Sequence, residues 1–261
     1  MSPGDTYLLG IVNKYAPRDL TTHVTEINEL KTRLIQWASS CYIAIVNSGS
    51  RAKGTAISLA SDVDYLVSLT SDCNASKGGL KPTYNELYTV LNGYYPNARK
   101  QNVSIRLYIN GLEIDVTPAR KQTGNTNYHS MYVSKLDTWK QTNVQKHITD
   151  ISQSGRLNEI KILKIWRELH GLDFPSVYLE YLLTSKILLG KAKGNDYLAS
   201  NVWFVFGELA KNTNNPLSAR VEDPANSANI LSDLLTTVEK NRIIAQARTT
   251  FASPTWGQVV W

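Results

Sequence analysis

Two aspartates stand two residues apart in the stretch Ser61-Asp62-Val63-Asp64-Tyr65-Leu66-Val67. On a β-strand that spacing puts both carboxylates on one face. Hard divalent cations such as Mg²⁺ take carboxylate and phosphate oxygens, and two ions about 3.5–4 Å apart clamp the attacking and leaving oxygens of a nucleotidyl transfer. Asp62 and Asp64 are therefore candidate metal ligands and catalytic carboxylates. A third carboxylate on a neighbouring strand would complete the set. Asp115, in Leu112-Glu113-Ile114-Asp115-Val116, is the natural candidate, as ligand to the ion that activates the attacking hydroxyl. Upstream lies Gly49-Ser50-Arg51-Ala52-Lys53-Gly54-Thr55. Glycine lets a backbone approach phosphate closely, and a turn opening a helix aims N–H groups at an anion. Ser50 adds a hydroxyl donor; Arg51 and Lys53 add charge. Asp-x-Asp alone is common on surface strands. Gly-Ser, then Gly-Thr, then Ser-Asp-x-Asp ahead of an apolar strand is a far more specific composite.

Several elements must position these groups. Residues 22–38 carry Val24, Ile27, Leu30, Leu34 and Ala38 at spacings of three and four, a helical stripe. Tyr42 to Val46 reads as a buried strand ending in the turn Asn47-Ser48-Gly49-Ser50. In 61–69, Val63, Tyr65, Val67 and Leu69 alternate with Asp62, Asp64 and Ser68, while Leu66 marks a strand buried on both sides. Residues 71–82 form a loop by composition, and 83–92 a helix. Asn110-Gly111 separates two alternating runs, the pattern of a type I′ hairpin. That turn pairs Ile109 with Leu112, Leu107 with Ile114 and Ile105 with Val116 on an apolar face. On the other face it pairs Tyr108 with Glu113 and Arg106 with Asp115. From about 155 the character turns helical, over 156–169, 176–190 and 228–247, with Pro175 and Pro224 near helix starts. The reading is α+β, with a mixed sheet and flanking helices over 1–150 and a helical lobe over 151–261.

Among 261 residues, 42% are hydrophobic, enough for a core, and no run of about 18 apolar residues suggests a membrane span. The N-terminus lacks a basic leader and apolar segment, so a signal peptide is not expected. Cys41 and Cys73 lie far apart and outside any Cys-x-x-Cys, which argues against a disulfide framework or zinc site and for a reducing cytoplasm. His23, His129, His147 and His170 are scattered, without metal-ligand spacing. The net charge of +6 and pI near 9.1 suit anionic partners such as nucleotides. The same surplus argues against an antibiotic nucleotidyltransferase, whose cationic drugs favour an acidic cleft.

The run from Ser48 to Val67 resembles the signature of the polymerase-β-like nucleotidyltransferases. It is most similar to the branch that holds the oligoadenylate synthetases, cyclic GMP–AMP synthase and the bacterial cyclic-oligonucleotide synthetases called CD-NTases. Gly111 to Ala119 resembles that branch's third-aspartate strand, with Thr117 for a valine. Trp139-Lys140-Gln141-Thr142-Asn143, with His147 following, is similar to the bacterial branch's W-x-x-T-[ND]-P…H segment, with Val144 for the proline. Lys161 to Trp166, then Ser176 and Leu179-Glu180, resembles its L-[IL]-K-x-W…S-x-x-L-E segment, and Glu222-Asp223-Pro224…Asn229 its late D-P…N motif. Trp256 to Trp261 lies near where relatives carry a W…FG ending, so the natural chain is expected to extend slightly further.

By that resemblance the active site lies in the cleft between a polymerase-β-like core and the helical lobe. Catalysis and metal binding fall to Asp62, Asp64 and Asp115, with two Mg²⁺ ions, or Mn²⁺ in their place. Nucleotide binding falls to Gly49, Ser50, Lys53, Thr55, Asn143, Lys164 and Ser176. Relatives stack the base on an aromatic residue after the serine; here Val177 holds that position, and helical geometry turns Tyr178 about 100° away. The implied activity makes a cyclic di- or trinucleotide from ATP, with GTP or UTP as further substrates, as a messenger in bacterial anti-phage (CBASS) signalling read by a separate effector protein. A nucleic-acid activator is left open, and no membrane partner is implied. The competing readings are a linear-oligonucleotide or tRNA-end nucleotidyltransferase and an antibiotic nucleotidyltransferase. The Asp223-Pro224 motif is expected to anchor a loop rather than touch substrate.

Overall fold

A computed structural model describes residues 1–60, 63–73, 78–124 and 126–261. The chain divides into two compact units: Arg18–Lys53 with Ser61–Ile148, and Met1–Pro17 with Gly54–Ala60 and Thr149–Trp261. This differs from the division at 150 read from the sequence, because the first 17 residues and residues 54–60 join the helical unit.

The first unit is built on a mixed sheet of seven strands among the described residues. Its strands are β1 (Tyr42–Ser48), β2 (Val63–Leu69), β3 (Arg99–Lys100), β4 (Ile105–Ile109), β5 (Leu112–Lys121), β6 (His129–Val133) and β7 (Thr138–Thr142). The order β1-β2-β5-β4-β3 places β2 between β1, to which it is antiparallel, and the central strand β5, to which it is parallel; β6 pairs with the far end of β5 and with β7. The Asn-Gly turn forms as the alternation requires, with φ of 48° at Asn110 and 78° at Gly111. All five predicted cross-strand pairs of β4 and β5 are present, Arg106 opposite Asp115 included.

One sheet face is closed by helices at Val24–Ala38 and Leu80–Tyr94. Val63, Tyr65, Val67 and Leu69 share a core there with Leu30, Leu34, Leu87, Leu91, Leu107 and Ile114. Val24, counted in the apolar stripe, is exposed; Trp37 takes part in its place. The other face is thinner: Leu66 packs with Ala119 and Met131, the two-sided burial that its position on β2 implied.

Cys41 and Cys73 form a disulfide, with Cα atoms 5.4 Å apart. This corrects the expectation of no disulfide. The separation of 32 residues in sequence is closed by the β1–β2 pairing, in which Tyr42 lies opposite Leu69 and Thr70 N donates to Cys41 O.

The second unit is helical. Pro3–Lys14 opens with a capping box, in which Asp5 accepts from Ser2 N (2.6 Å) and Ser2 Oγ (2.7 Å), with proline at the first turn. Leu8, Ile11 and Val12 of this helix enter a core shared with Leu163, Trp166, Val202, Phe206 and Ile243, which is why the N-terminal residues belong here. Leu157–Leu169 and Ser176–Leu182 match the predicted helices; the latter ends in a π-type turn, Leu183–Ile187. The predicted helix 228–247 is displaced to Thr237–Phe251, because Thr236 and Glu239 form its capping box. Residues Asn226–Ile230 instead pair with Glu222–Asp223 in a small hairpin, and Pro224 sits in its turn rather than at a helix start. No helix among the described residues is long and apolar enough to cross a membrane.

Candidate active site

The parallel strands β2 and β5 bring two of the predicted carboxylates side by side. Asp64 on β2 is in register with Asp115 on β5. Register partners point to the same sheet face, and adjacent strands lie about 4.8 Å apart, so the two groups share one small volume. Each is partly exposed between core neighbours, Val63 and Tyr65 on one strand and Ile114 and Val116 on the other. Asp62 lies outside the described residues. Among the described residues no group of three His, Cys, Asp or Glu side chains converges.

Gly49 closes this volume from the end of β1. Its φ is +63°, in the left-handed region, and it begins a single helical turn, Gly49–Lys53. A Cβ at this position would stand 1.7 Å from Asp64 Oδ2 and 2.8 Å from Asp64 Cβ. Backbone and carboxylate therefore approach more closely than any other residue type allows. Ser50 follows in the same turn. Arg51 donates from Nη2 to the carbonyl of Arg18 (2.9 Å). Burial lowers its guanidinium pKa, helped by the charge of Arg18 and opposed by Tyr65 and Asp64; an arginine starting so high stays charged. Lys53 is buried.

Arg106 grips the third carboxylate. Its Nε donates to Asp115 Oδ1 (3.0 Å) and Nη2 to Oδ2 (2.7 Å), a bidentate fork, while Nη1 reaches Glu113 Oε2 (3.1 Å). The sequence placed Arg106 opposite Asp115; the share taken by Glu113 comes from its diagonal position two residues along β5. Asn143, a predicted nucleotide contact, caps the helix Val144–Ser152, its Oδ1 accepting from Lys146 N (3.0 Å).

The remaining predicted contacts lie in the helical unit. Lys164 is 2% exposed, and its amine donates to Glu180 Oε1 (2.7 Å) and Thr55 Oγ1 (2.9 Å); Thr55 in turn donates to Glu180 Oε1 (2.9 Å). Two predicted phosphate contacts thus meet in one buried network. Its third member, Glu180, entered the sequence reading only as a letter of a motif, and no local spacing pairs it with Lys164. Ser176 begins its helix, partly exposed. Tyr178 is fully buried with its hydroxyl on Leu217 O (3.4 Å), which makes it core and not a stacking platform. Asp223 accepts from Ala225 N (2.9 Å) and Asn229 Nδ2 (2.8 Å), holding its hairpin as expected of a loop anchor.

The donors Asp64 and Asp115 are oxygens alone, which suits Mg²⁺ or Mn²⁺ rather than a softer metal. Such carboxylates beside a glycine turn suit nucleotidyl transfer. The family model for the Second Messenger Oligonucleotide or Dinucleotide Synthetase domain matches residues 16–154. A comparison with curated protein sequences found no match. Among solved structures, the chain is similar to E. coli MS115-1 CdnC, solved with ATP (19% identity, TM-score 0.70, covering 98% of this chain and 96% of that one). It is also similar to Bradyrhizobium diazoefficiens CdnG, solved with GTP (12%, 0.74, 96% and 91%). A third is the CdnE cyclic dinucleotide synthase of Elizabethkingia meningoseptica (12%, 0.62, 92% and 95%). These likenesses show a shared fold. The domain match spans more than half the chain and takes in every predicted carboxylate and the Gly49 turn, so this chain belongs to the Second Messenger Oligonucleotide or Dinucleotide Synthetase family and is a nucleotidyltransferase of the CD-NTase type.

Proposed function

We propose that this enzyme joins nucleoside triphosphates into a cyclic di- or trinucleotide messenger, in a divalent-cation-dependent reaction serving bacterial anti-phage (CBASS) signalling. The observation that carries the reading is the register of Asp64 and Asp115 on parallel strands, closed by Gly49. In this reading Gly49 and Ser50 seat the donor triphosphate, with Lys53 and Asn143 as further nucleotide contacts. Asp62, Asp64 and Asp115 hold two Mg²⁺ ions, with Mn²⁺ as a substitute. The ions supply charge neutralisation and lower the pKa of the attacking hydroxyl. The chain's own contribution is to fix both reactants in line, so that catalysis is mainly positioning. ATP is the first substrate to test, then GTP and UTP; solved relatives bind ATP in one case and GTP in another. Phosphate contacts by Lys164, Thr55 and Ser176 are a separate part of the proposal. In the conformation described, the Lys164 amine would have to exchange Glu180 for a phosphate. The enzyme works where nucleoside triphosphates are available, and a separate effector protein reads its product.

The test is to incubate purified protein with the four labelled nucleoside triphosphates and Mg²⁺ or Mn²⁺, treat with phosphatase and resolve the products. A phosphatase-resistant small product, lost in Asp64→Asn, is the expected result. A ladder of phosphatase-sensitive linear products would move the assignment to a linear-oligonucleotide synthetase. Wild-type turnover in Asp64→Asn would overturn it. Omitting one base at a time names the product.

A further inference from the structure

We infer that Arg106 is a positioning residue that holds Asp115 in place and yields it to the divalent cation by shifting to Glu113. The inference rests on the proposed metal role of Asp115. The fork of Arg106 takes both Asp115 oxygens, at 3.0 and 2.7 Å, and these are the atoms a cation would need. Guanidinium and cation therefore compete for the same lone pairs. A structural ion pair needs one carboxylate, yet here Nη1 is already on a second, Glu113, at 3.1 Å. A cation that takes Asp115 leaves Arg106 still paired with the Glu113 carboxylate. Solvent access suits an exchange. The side chains of Arg106, Asp115 and Glu113 are 24%, 14% and 41% exposed, and partial solvation keeps the cost of moving a charge low. The hairpin supplies the geometry. Arg106 faces Asp115 directly across β4 and β5, and Glu113 lies on the same face two residues away, within reach of one rotation of a long side chain.

The experiment is direct Mn²⁺ binding to the full chain without nucleotide, by calorimetry and by loss of the free Mn²⁺ spin-resonance signal, with thermal melting as the folding check. Arg106→Gln is expected to tighten binding about fivefold, the scale of a half-exposed ion pair. Glu113→Gln is expected to weaken it, because the carboxylate that draws Arg106 away from Asp115 is then lost. The double variant should match Arg106→Gln alone, since Glu113 acts through Arg106. Arg106→Lys, which keeps the charge and loses the fork, should fall between wild type and Arg106→Gln. It carries the arginine arm if Arg106→Gln fails to fold. Asp115-dependent binding that ignores both Arg106 and Glu113, or that weakens in both single variants, overturns this inference alone. Absence of Mn²⁺ binding in the wild type, or binding that Asp115→Asn leaves unchanged, overturns the metal reading and this inference with it.

Discussion

Two ion pairs, one in each unit, are close in geometry and opposite in setting. In the sheet unit, Arg106 and Asp115 meet at 2.7 Å with side chains 24% and 14% exposed. In the helical unit, Lys164 and Glu180 meet at the same 2.7 Å with side chains 2% and 0% exposed. Water reaches the first pair and leaves its charges exchangeable; the second is buried, with Thr55 accepting from Lys164 and donating to Glu180. Distance alone would rank the two as equals. Burial separates a pair whose charges exchange at low cost from one whose loss strands a charge in the core.

The sharpest break of that comparison is functional. Asp115→Asn and Asp64→Asn should each lower nucleotide incorporation by about a thousandfold, the equivalent of several kcal/mol of lost charge stabilisation. Their melting temperatures should stay near wild type. On the buried side, Glu180→Ala should destabilise the chain by about 3–5 kcal/mol in denaturant titration, because Lys164 is left charged without its carboxylate. Glu113→Ala, which removes the second and more exposed carboxylate on Arg106, should cost less than about 1 kcal/mol. Equal costs for the two would refute the role given to burial. Reduction of Cys41–Cys73, or Cys41→Ser, should destabilise the sheet unit by about 3–4 kcal/mol, the chain-entropy cost of opening its loop. Gly49→Ala should cost about 1–2 kcal/mol in backbone strain. It should lower turnover far more than that figure suggests, since Asp64 must move. The smallest effect is a pH response at His129, whose pKa burial lowers. Its neutral form is the folded one, so this stability is complete above the unfolded value of about 6.5 and is lost as pH falls below it. His129→Gln should flatten the fall in melting temperature between about pH 7 and pH 5.5.

Short-range patterns were the most legible part of the sequence. The hairpin of β4 and β5 was readable to the residue, because Asn-Gly fixes the turn and strict alternation fixes the pairing. Asp64 and Asp115 were readable for the same reason: each sits on a strand whose apolar partners announce its face. What escaped depends on contacts distant in sequence. The N-terminal helix has a signal in Ser2-Pro3 followed by Asp5, but only packing against Leu163 and Trp166 assigns it to the helical unit. Cys41 meets Cys73 only after β1 and β2 pair. Lys164 entered as a nucleotide contact implied by resemblance, and no spacing rule brings Glu180 to it across 16 residues. The helix placed at 228–247 was misjudged at its start, where Thr236 and Glu239 supply a cap nine residues later.

Gly49 carries one more consequence. With a would-be Cβ 1.7 Å from the Asp64 carboxylate, the turn proposed to seat phosphate and the carboxylate strand act as two jaws of one caliper, not as separate parts. Any shift of the turn that reseats a phosphate moves the jaw against Asp64, and any reorientation of Asp64 is felt by the turn. In the proposed reaction, nucleotide seating and carboxylate geometry therefore share a single mechanical tolerance, set by the absence of one methyl group.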